Sequence, residues 1–272
     1  MRPAPFEYFA PRTVEEALDL LARRGDEAKL LAGGHSLLPL MKLRLATPSV
    51  VIDVGRIREL SYVRDGGDQV SIGALTRHRD VETSDLLQRE APILAHVAGL
   101  VGDPQVRHRG TIGGSLAHGD PASDLPAVVL ALGGTLVVQG PGGRREIPAT
   151  QFFHGFLETA LAPDEMLVEI RVPKARGGWS YQKFNRRAID WAIVGVAAVR
   201  NGTTGVALVN MGPVPIRASA VEQALARGAS AADAAALAAE GTDPSADLNA
   251  SVEYRKHLAQ VLVRRALEEA GA

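Results

Sequence analysis

The chain has 272 residues, of which 46% are hydrophobic, 22% charged and only 4% aromatic, and its formal net charge is −1. This is the composition of a folded globular protein with a core large enough for two domains, and it excludes a disordered chain. A nearly neutral chain with few aromatic residues lacks both the positive charge and the stacking surface of a nucleic-acid-binding protein. We therefore expect no nucleic-acid partner.

The sequence contains no cysteine, so it cannot form a disulfide, a thiolate nucleophile or a cysteine-ligated iron–sulfur cluster. Its seven histidines form no H-x-x-x-H or H-E-x-x-H pair, so we predict no metal site. No apolar run approaches the roughly 20 residues needed to cross a bilayer. The first residues also lack the apolar stretch of a signal peptide, so we expect a cytoplasmic protein without a transmembrane segment.

The first predicted unit, residues 1–57, combines one helix with short strands. Thr13 followed by Glu16 is a capping-box pattern, with Glu16 reaching back to Thr13, and apolar residues then recur at helical spacing until Gly25. Short apolar strands are predicted at residues 29–31 and 50–54. A further strand is predicted at residues 69–73, beyond the end of this unit.

A second unit, residues 58–165, is more helical at first. Helices are predicted at residues 92–101 and 125–132, with Asp124 as a candidate N-cap of the latter. A strand at residues 135–139 then enters the turn Pro141-Gly142-Gly143.

The pattern changes again near residue 166. Strands are predicted at residues 166–172, 179–184, 192–200 and 205–210, with Asn201-Gly202 as a hairpin turn. From Arg217 onward the chain is alanine-rich and helical. Strands followed by helices predict a separate α+β domain over residues 166–272.

Two glycine pairs, Gly33-Gly34 and Gly113-Gly114, follow apolar segments and are each followed closely by a serine, Ser36 or Ser115. Glycine allows successive backbone amides to converge on a diphosphate, and the hydroxyls of the serines and of Thr111 can add donors. One such loop could equally be an ordinary turn, but two of the same design favour a phosphate site. The chain has neither G-x-G-x-x-G nor G-x-x-x-x-G-K-S/T, which disfavours a Rossmann site and a P-loop.

Both pairs lie in longer motifs that resemble those of a known family. Residues 31–42 read LAGGHSLLPLMK and residues 111–126 read TIGGSLAHGDPASDLP. They are similar to the two FAD-contacting loops in the flavin (medium) subunits of molybdenum hydroxylases, the xanthine dehydrogenase family that includes aerobic carbon monoxide dehydrogenase. The resemblance extends over nearly the whole chain, including YQKFNRR at residues 181–187 and NMGP at residues 210–213.

This resemblance implies an α+β fold with a two-part FAD-binding domain of the vanillyl-alcohol-oxidase type over residues 1–165, divided near residue 57. A C-terminal α+β domain with a small antiparallel sheet would follow over residues 166–272. FAD would bind non-covalently, with its diphosphate on the two loops. Asp124 would accept hydrogen bonds from the adenosine ribose, Leu167 and Lys183 would lie near the flavin, and Tyr181 could cover the ring. The expected cofactor-binding residues are Lys29, Leu30, Leu31, Ala32, Gly33, Gly34, His35, Ser36, Leu37, Thr111, Ile112, Gly113, Gly114, Ser115, Asp120, Asp124, Leu167, Tyr181 and Lys183.

Other chemistry-bearing residues have simpler interpretations. His35 and His118 could be bases or flavin attachment points, but packing or hydrogen bonding in a loop is the favoured interpretation. Asp120 and Asp124 could form an acid–base pair; for Asp124, helix capping and ribose binding stay equally open. Lys183 could place positive charge near the flavin. For Arg186 and Arg187 we favour an exposed basic strand end or a subunit contact, and we predict no catalytic residue.

The resemblance also implies a division of labour between subunits. A large subunit with a molybdenum cofactor would oxidise the substrate, and electrons would cross 2Fe–2S clusters in a small subunit to reach the FAD of this chain and then an external acceptor. The expected assembly is a dimer of heterotrimers, a heterohexamer. The alternatives are a self-contained flavin oxidase of the same broad fold and a non-enzymatic nucleotide-binding module. Carbon monoxide, a purine, an aldehyde or an N-heterocycle stays open as substrate, and quinone, NAD or oxygen as acceptor.

Overall fold

A computed structural model describes residues 2–271, and its first part is a small parallel sheet with two helices. The elements are β1 (Glu7–Phe9), α1 (Val14–Arg24), β2 (Ala28–Leu31), α2 (Leu37–Leu43) and β3 (Val50–Asp53), with a single-turn 3-10 helix at Gly25–Glu27. The strand order is β1-β3-β2, and both pairings are parallel. Helix α1 begins and ends as predicted, because the Thr13 hydroxyl accepts the Glu16 amide at 3.2 Å and Gly25 has φ +52°. The Glu16 carboxylate was expected to reach back to Thr13. It accepts a hydrogen bond from the amide of Arg12 instead.

The second part is built on a five-stranded antiparallel sheet. Its elements in chain order are β4 (Val63–Asp65), β5 (Gln69–Gly73), α3 (His78–Glu82), α4 (Asp85–Glu90), α5 (Pro92–Gly99), α6 (Pro104–Arg107), α7 (Ile112–His118), α8 (Asp124–Ala131), β6 (Thr135–Gly140), β7 (Gly143–Pro148), β8 (Phe153–Gly155), β9 (Glu158–Thr159) and β10 (Met166–Pro173), with 3-10 turns at Arg58–Leu60 and Ala149–Gln151. The strand order is β4-β5-β10-β6-β7, and β8 pairs with β9 in a separate hairpin. The expected boundary at residues 165 and 166 falls inside this sheet, because β10 is its central strand and pairs with β5 and β6. The division between the two domains lies instead between Pro173 and Trp179.

The third part is a four-stranded antiparallel sheet with three helices on one face. It contains β11 (Trp179–Phe184), β12 (Val194–Asn201), β13 (Thr203–Val209), β14 (Ile216–Arg217), α9 (Ser219–Ala226), α10 (Ala231–Ala235) and α11 (Val252–Ala270). The strands follow one another in chain order across the sheet, and Gly202, with φ +75°, forms the predicted turn between β12 and β13. The helices and antiparallel sheets together confirm the predicted α+β class. No helix among residues 2–271 is long and apolar enough to span a membrane.

Helix α8 joins the two domains through one core. All eight of its residues are buried, which is typical of a helix that is apolar on every side. It packs against α5 and α7 on one side and against β12 and β13 on the other. Alternate residues of β12 divide accordingly: Ala197 and Val199 share the core of α8, whereas Val196 and Ala198 pack against the C-terminal helices.

Candidate functional site

A cavity of about 840 Å³ opens between the small parallel sheet, the five-stranded sheet and the end of β11. This volume lies in the range of small-molecule and cofactor sites, roughly 300–1,000 Å³. Most of the predicted binding residues line it: Lys29, Leu30, Leu31, Ala32, Gly33, Gly34, His35, Ser36, Leu37, Thr111, Gly113, Gly114, Ser115, Asp124, Leu167 and Lys183. Three of them, Ile112, Asp120 and Tyr181, do not.

The first glycine loop joins β2 to α2 and presents a row of backbone donors. The amides of residues 32–36 donate to no acceptor within the part of the chain that the structure describes. Backbone amides are normally paired, and consecutive amides aimed into a concavity form an anion site. Gly34 has φ +81°, a conformation that an L-residue rarely adopts, and it turns the loop at this point. The loop therefore has the donors that a diphosphate requires.

The second glycine loop has a different role from the one its sequence suggests. Its amides are already paired: Gly113 donates to the carbonyl of Ala74 at 2.9 Å, Gly114 to the Thr111 hydroxyl at 3.1 Å, and Ser115 to the Thr111 carbonyl at 3.0 Å. The expectation that both loops offer free amides therefore holds only for the first. The second loop contributes the Ser115 side chain, which lines the cavity.

Glycines of both loops allow close packing. A Cβ at Gly113 would lie 2.5 Å from the Cβ and the carbonyl oxygen of Ala74, and a Cβ at Gly33 would lie 2.4 Å from the carbonyl oxygen of Arg109. These distances are far shorter than van der Waals contact, so neither position accepts a side chain without a shift of the backbone. Gly33 thus lies directly against residues 109–110, which lead into the second loop, and Gly113 lies directly against Ala74, the residue after β5.

Asp124, Tyr181 and Lys183 form a buried polar cluster between the two domains. The Tyr181 hydroxyl donates to Oδ1 of Asp124 at 2.5 Å, and Nζ of Lys183 donates to Oδ2 at 2.9 Å. Burial raises the pKa of the Asp124 carboxyl, while Lys183 and Tyr181 act in the opposite direction. Burial, together with the Asp124 charge, raises the pKa of Tyr181 well above its ordinary value.

This cluster corrects three expectations. Asp124 is not the N-cap of α8, because it is the first helical residue and Ser123 occupies the cap position. It was expected at the ribose and Lys183 at the flavin, but their side chains touch and so lie at the same end of the cavity. Tyr181 is buried away from the cavity and cannot cover a ring there.

The two other predicted residues outside the cavity have structural roles. Ile112 is fully buried in the core, and its amide donates to the Thr76 carbonyl at 3.0 Å. Oδ1 of Asp120 accepts the amide of Ala122 at 2.8 Å, which closes a turn before α8. Asp120 and Asp124 therefore do not form an acid–base pair. Among residues 2–271 no group of three or more histidine, aspartate or glutamate side chains is arranged to hold a metal ion.

Several lining residues were missed at the sequence level. Trp191 lies with Ile189 and Asp190 on the segment between β11 and β12, and its side chain is 59% exposed at the cavity. His78 and His118 also line the cavity, and burial lowers the pKa of His118 although Asp120 opposes the shift. A lone tryptophan beyond a basic strand end was the only signal for the Trp191 segment. Nothing in the spacing of the histidines indicated their common location.

Comparison with known proteins agrees with this geometry. Residues 4–175 match the family described as FAD binding domain in molybdopterin dehydrogenase, and residues 179–270 match the CO dehydrogenase flavoprotein C-terminal domain. The chain is 45% identical to the carbon monoxide dehydrogenase medium chain of Hydrogenophaga pseudoflava, over 100% of this chain and 99% of the relative. It is 37% identical to the nicotine 6-hydroxylase medium subunit of Paenarthrobacter nicotinovorans, with the same coverage.

A solved structure of carbon monoxide dehydrogenase from Hydrogenophaga pseudoflava, which lacks the Mo-pyranopterin moiety of the molybdenum cofactor, includes a chain that superposes with a TM-score of 0.96. That chain is 46% identical to this one, and the match covers 100% of this chain and 99% of the other. The protein therefore belongs to the family of FAD-binding medium subunits of molybdopterin dehydrogenases.

Proposed function

We propose that this chain is the FAD-carrying electron-transfer subunit of a molybdenum- and iron–sulfur-containing hydroxylase or dehydrogenase. In this role it receives electrons from 2Fe–2S clusters of a partner subunit and passes them to an external acceptor. The observation that carries the proposal is the row of unpaired amides at residues 32–36, which faces a cavity of cofactor size. Membership of the FAD-binding family supports it.

The residues present suit FAD. The amides of residues 32–36 would hold the diphosphate, and the Ser115 hydroxyl would add a donor. Leu167 and Trp191 offer apolar surface in the cavity lining, which suits the isoalloxazine ring. When bound, FAD supplies a carrier that accepts electrons from one redox partner and delivers them to another.

Two charged groups of the cavity lining, Lys183 and Glu165, are held in ion pairs. The ammonium group of Lys183 is paired with Asp124, and the Glu165 carboxylate is paired with Arg145 at 2.6 Å. A paired charge of this kind orients a ligand and excludes water, but it is not free to take a proton from a substrate. This pairing supports oxidation of the substrate elsewhere in the complex.

The expected partners are a large subunit with the molybdenum cofactor and a small subunit with the 2Fe–2S clusters, in a cytoplasmic dimer of heterotrimers. The absence of cysteine supports this, because the clusters must be held by other chains. The relatives named medium chain or medium subunit support a multi-subunit complex. Since relatives named for carbon monoxide and for nicotine both match this chain over its whole length, we infer that a partner chain selects the substrate.

Affinity purification of the tagged chain from its own host, under native conditions, tests the proposal. We expect two further subunits, molybdenum and iron in the complex, and one FAD per tagged chain released intact on heating. A candidate substrate should bleach the flavin only when the partners are present. Bleaching by a substrate added to the chain alone would instead favour the self-contained oxidase, and a complex without flavin would contradict the proposed function.

A further inference from the structure

His78 occupies an unusual position at the base of the second glycine loop, next to the segment that packs against Gly33. It is the first residue of α3 and is only 4% exposed, yet it is one of the residues that line the cavity. Its amide donates to the Gly110 carbonyl at 3.0 Å, and residues 77 and 111 form an isolated β-bridge beside it. The side chain is therefore fixed at the base of the second glycine loop.

The ring of His78 reaches the cradle of free amides through Gly110. A Cβ at Gly110 would lie 2.7 Å from Cδ2 and 3.0 Å from Nε2 of His78, so only glycine leaves room for this edge of the ring. The Cα of Gly110 in turn lies 2.7 Å from the position of a Cβ on Gly33. Gly110 thus lies between the Nε2 edge of the His78 ring and Gly33, which belongs to the loop whose amides are unpaired.

The two ring nitrogens have different surroundings. Nδ1 is fully buried and has no hydrogen-bond partner among residues 2–271. Nε2 has no partner there either, but it is not fully buried. A buried unpaired donor is costlier than a buried unpaired acceptor with the same surroundings, so the proton belongs on Nε2. The ring then presents an N–H donor towards the cavity.

Burial and the charges that face His78 keep the ring neutral. Burial, with His35 and Arg107 adding repulsion, lowers the pKa of His78 to about 4. His35 lies on the first glycine loop, and Arg107 lies on α6 with its guanidinium paired to Glu82. At neutral pH the group is therefore an uncharged donor, which loses less hydration on binding than a charged one would.

We propose that His78 is a binding residue for the dinucleotide: its Nε2–H donates a hydrogen bond to an oxygen of the diphosphate. This rests on the proposed function, because it takes FAD as the occupant of the cavity. It extends the phosphate site from a loop of backbone amides to a side chain on a separate element, α3.

Two substitutions separate a binding role from a packing role. His78→Leu removes the donor but fills the same apolar space, whereas His78→Gln keeps an N–H close to the position of Nε2. The tagged chain, purified with whichever subunits accompany it and freed of flavin, is titrated with FAD. We expect His78→Leu to weaken FAD binding by roughly ten-fold or more and His78→Gln to restore most of the loss.

Stability provides the opposite readout. His78→Leu removes a buried polar atom without a partner, so the flavin-free variant should unfold at the same temperature as the parent or higher. ADP, which carries the diphosphate without the flavin, should lose affinity for the variant as FAD does, and riboflavin should not. Equal affinity of both variants and the parent for FAD would overturn the proposal, as would an affinity loss that simply follows a loss of stability.

The protonation state is open to direct measurement. In protein labelled with ¹⁵N-histidine, the resonances of His78, assigned by their loss in His78→Gln, should be those of a neutral Nε2–H ring at pH 6. The Nε2 resonance should move on addition of FAD. A positively charged ring at pH 6, or the Nδ1–H tautomer, would contradict this assignment. Failure of the parent protein to bind FAD would reject the proposed function instead.

Discussion

Gly33→Ala should disrupt the cofactor site through one methyl group. The added Cβ would lie 2.4 Å from the Arg109 carbonyl oxygen and 2.7 Å from the Gly110 Cα, and both obstacles are backbone atoms. Ordinary contact begins at about 3.4 Å, so the two loops must separate by about 1 Å. Overpacking of this kind costs about 1–3 kcal/mol, and a cost of 2 kcal/mol lowers Tm by about 4–8 °C in a chain of this size.

The same movement displaces the amides of residues 32–36 from the diphosphate. Loss of one charge-assisted hydrogen bond corresponds to at least about ten-fold weaker FAD binding. The matched control is Gly142→Ala, because a Cβ at Gly142 meets no atom within 4 Å. Thermal unfolding and FAD titration of both variants decide the matter. If Gly33→Ala keeps the stability and FAD affinity of Gly142→Ala, the close approach of the two loops is not what shapes the site.

Three further predictions concern the cluster between the domains, the exposed tryptophan and the buried histidine. Asp124→Asn leaves the Lys183 ammonium group buried without a counter-charge, so the free energy of unfolding should fall by about 3–5 kcal/mol in denaturant titrations. Trp191→Ala removes exposed apolar surface at the cavity, so FAD should bind several-fold more weakly while stability stays within about 0.5 kcal/mol. His78 has a folded pKa below its unfolded value, so the unfolded chain binds more protons between pH 6.5 and about 4. Stability should therefore fall as the pH falls through this window, by up to about 3 kcal/mol, and His78→Leu should remove this part of the loss.

Each of these predictions has a matched control. Glu268 forms an exposed pair with Arg264, so Glu268→Gln should change stability by less than about 1 kcal/mol. Phe156 is 67% exposed and does not line the cavity, so Phe156→Ala should leave FAD binding unchanged. If Asp124→Asn and Glu268→Gln lowered the free energy of unfolding equally, the charge of Asp124 would not be needed to stabilise the buried Lys183. Parallel pH profiles for His78→Leu and the parent would remove His78 as the titrating group.

The sequence predicted those parts of the site that depend on neighbouring residues in the chain. The loop at residues 32–36 was recognised because glycines and a serine at fixed spacing give a local conformation. The same reasoning assigned free amides to the second loop, but Ala74 and Thr111 accept three of them, and no local pattern reveals Ala74, a partner nearly 40 residues away. The contact of Asp124 with Lys183 also joins distant elements, which is why the two residues were placed apart.

The domain boundary was misplaced for a related physical reason. Strands at residues 135–139 and 166–172 were each recognised by their apolar pattern, but pattern alone does not say which strands pair. Strand β10 lies at the centre of the first large sheet because it pairs with β5, almost a hundred residues earlier in the chain. A change in pattern near residue 166 was taken as the boundary, whereas β10 continues the sheet to Pro173.

Helix α8 couples the two domains mechanically, although the domains match two separate sequence families. Because its eight residues are enclosed by elements of both domains, neither half can be removed without exposing an apolar helix to water. A protease cut in the connection at residues 174–178 should leave two fragments that stay associated. The amide protons of α8 should be among the slowest of the protein to exchange, requiring global unfolding, so the two domains should not hinge about the connection between them.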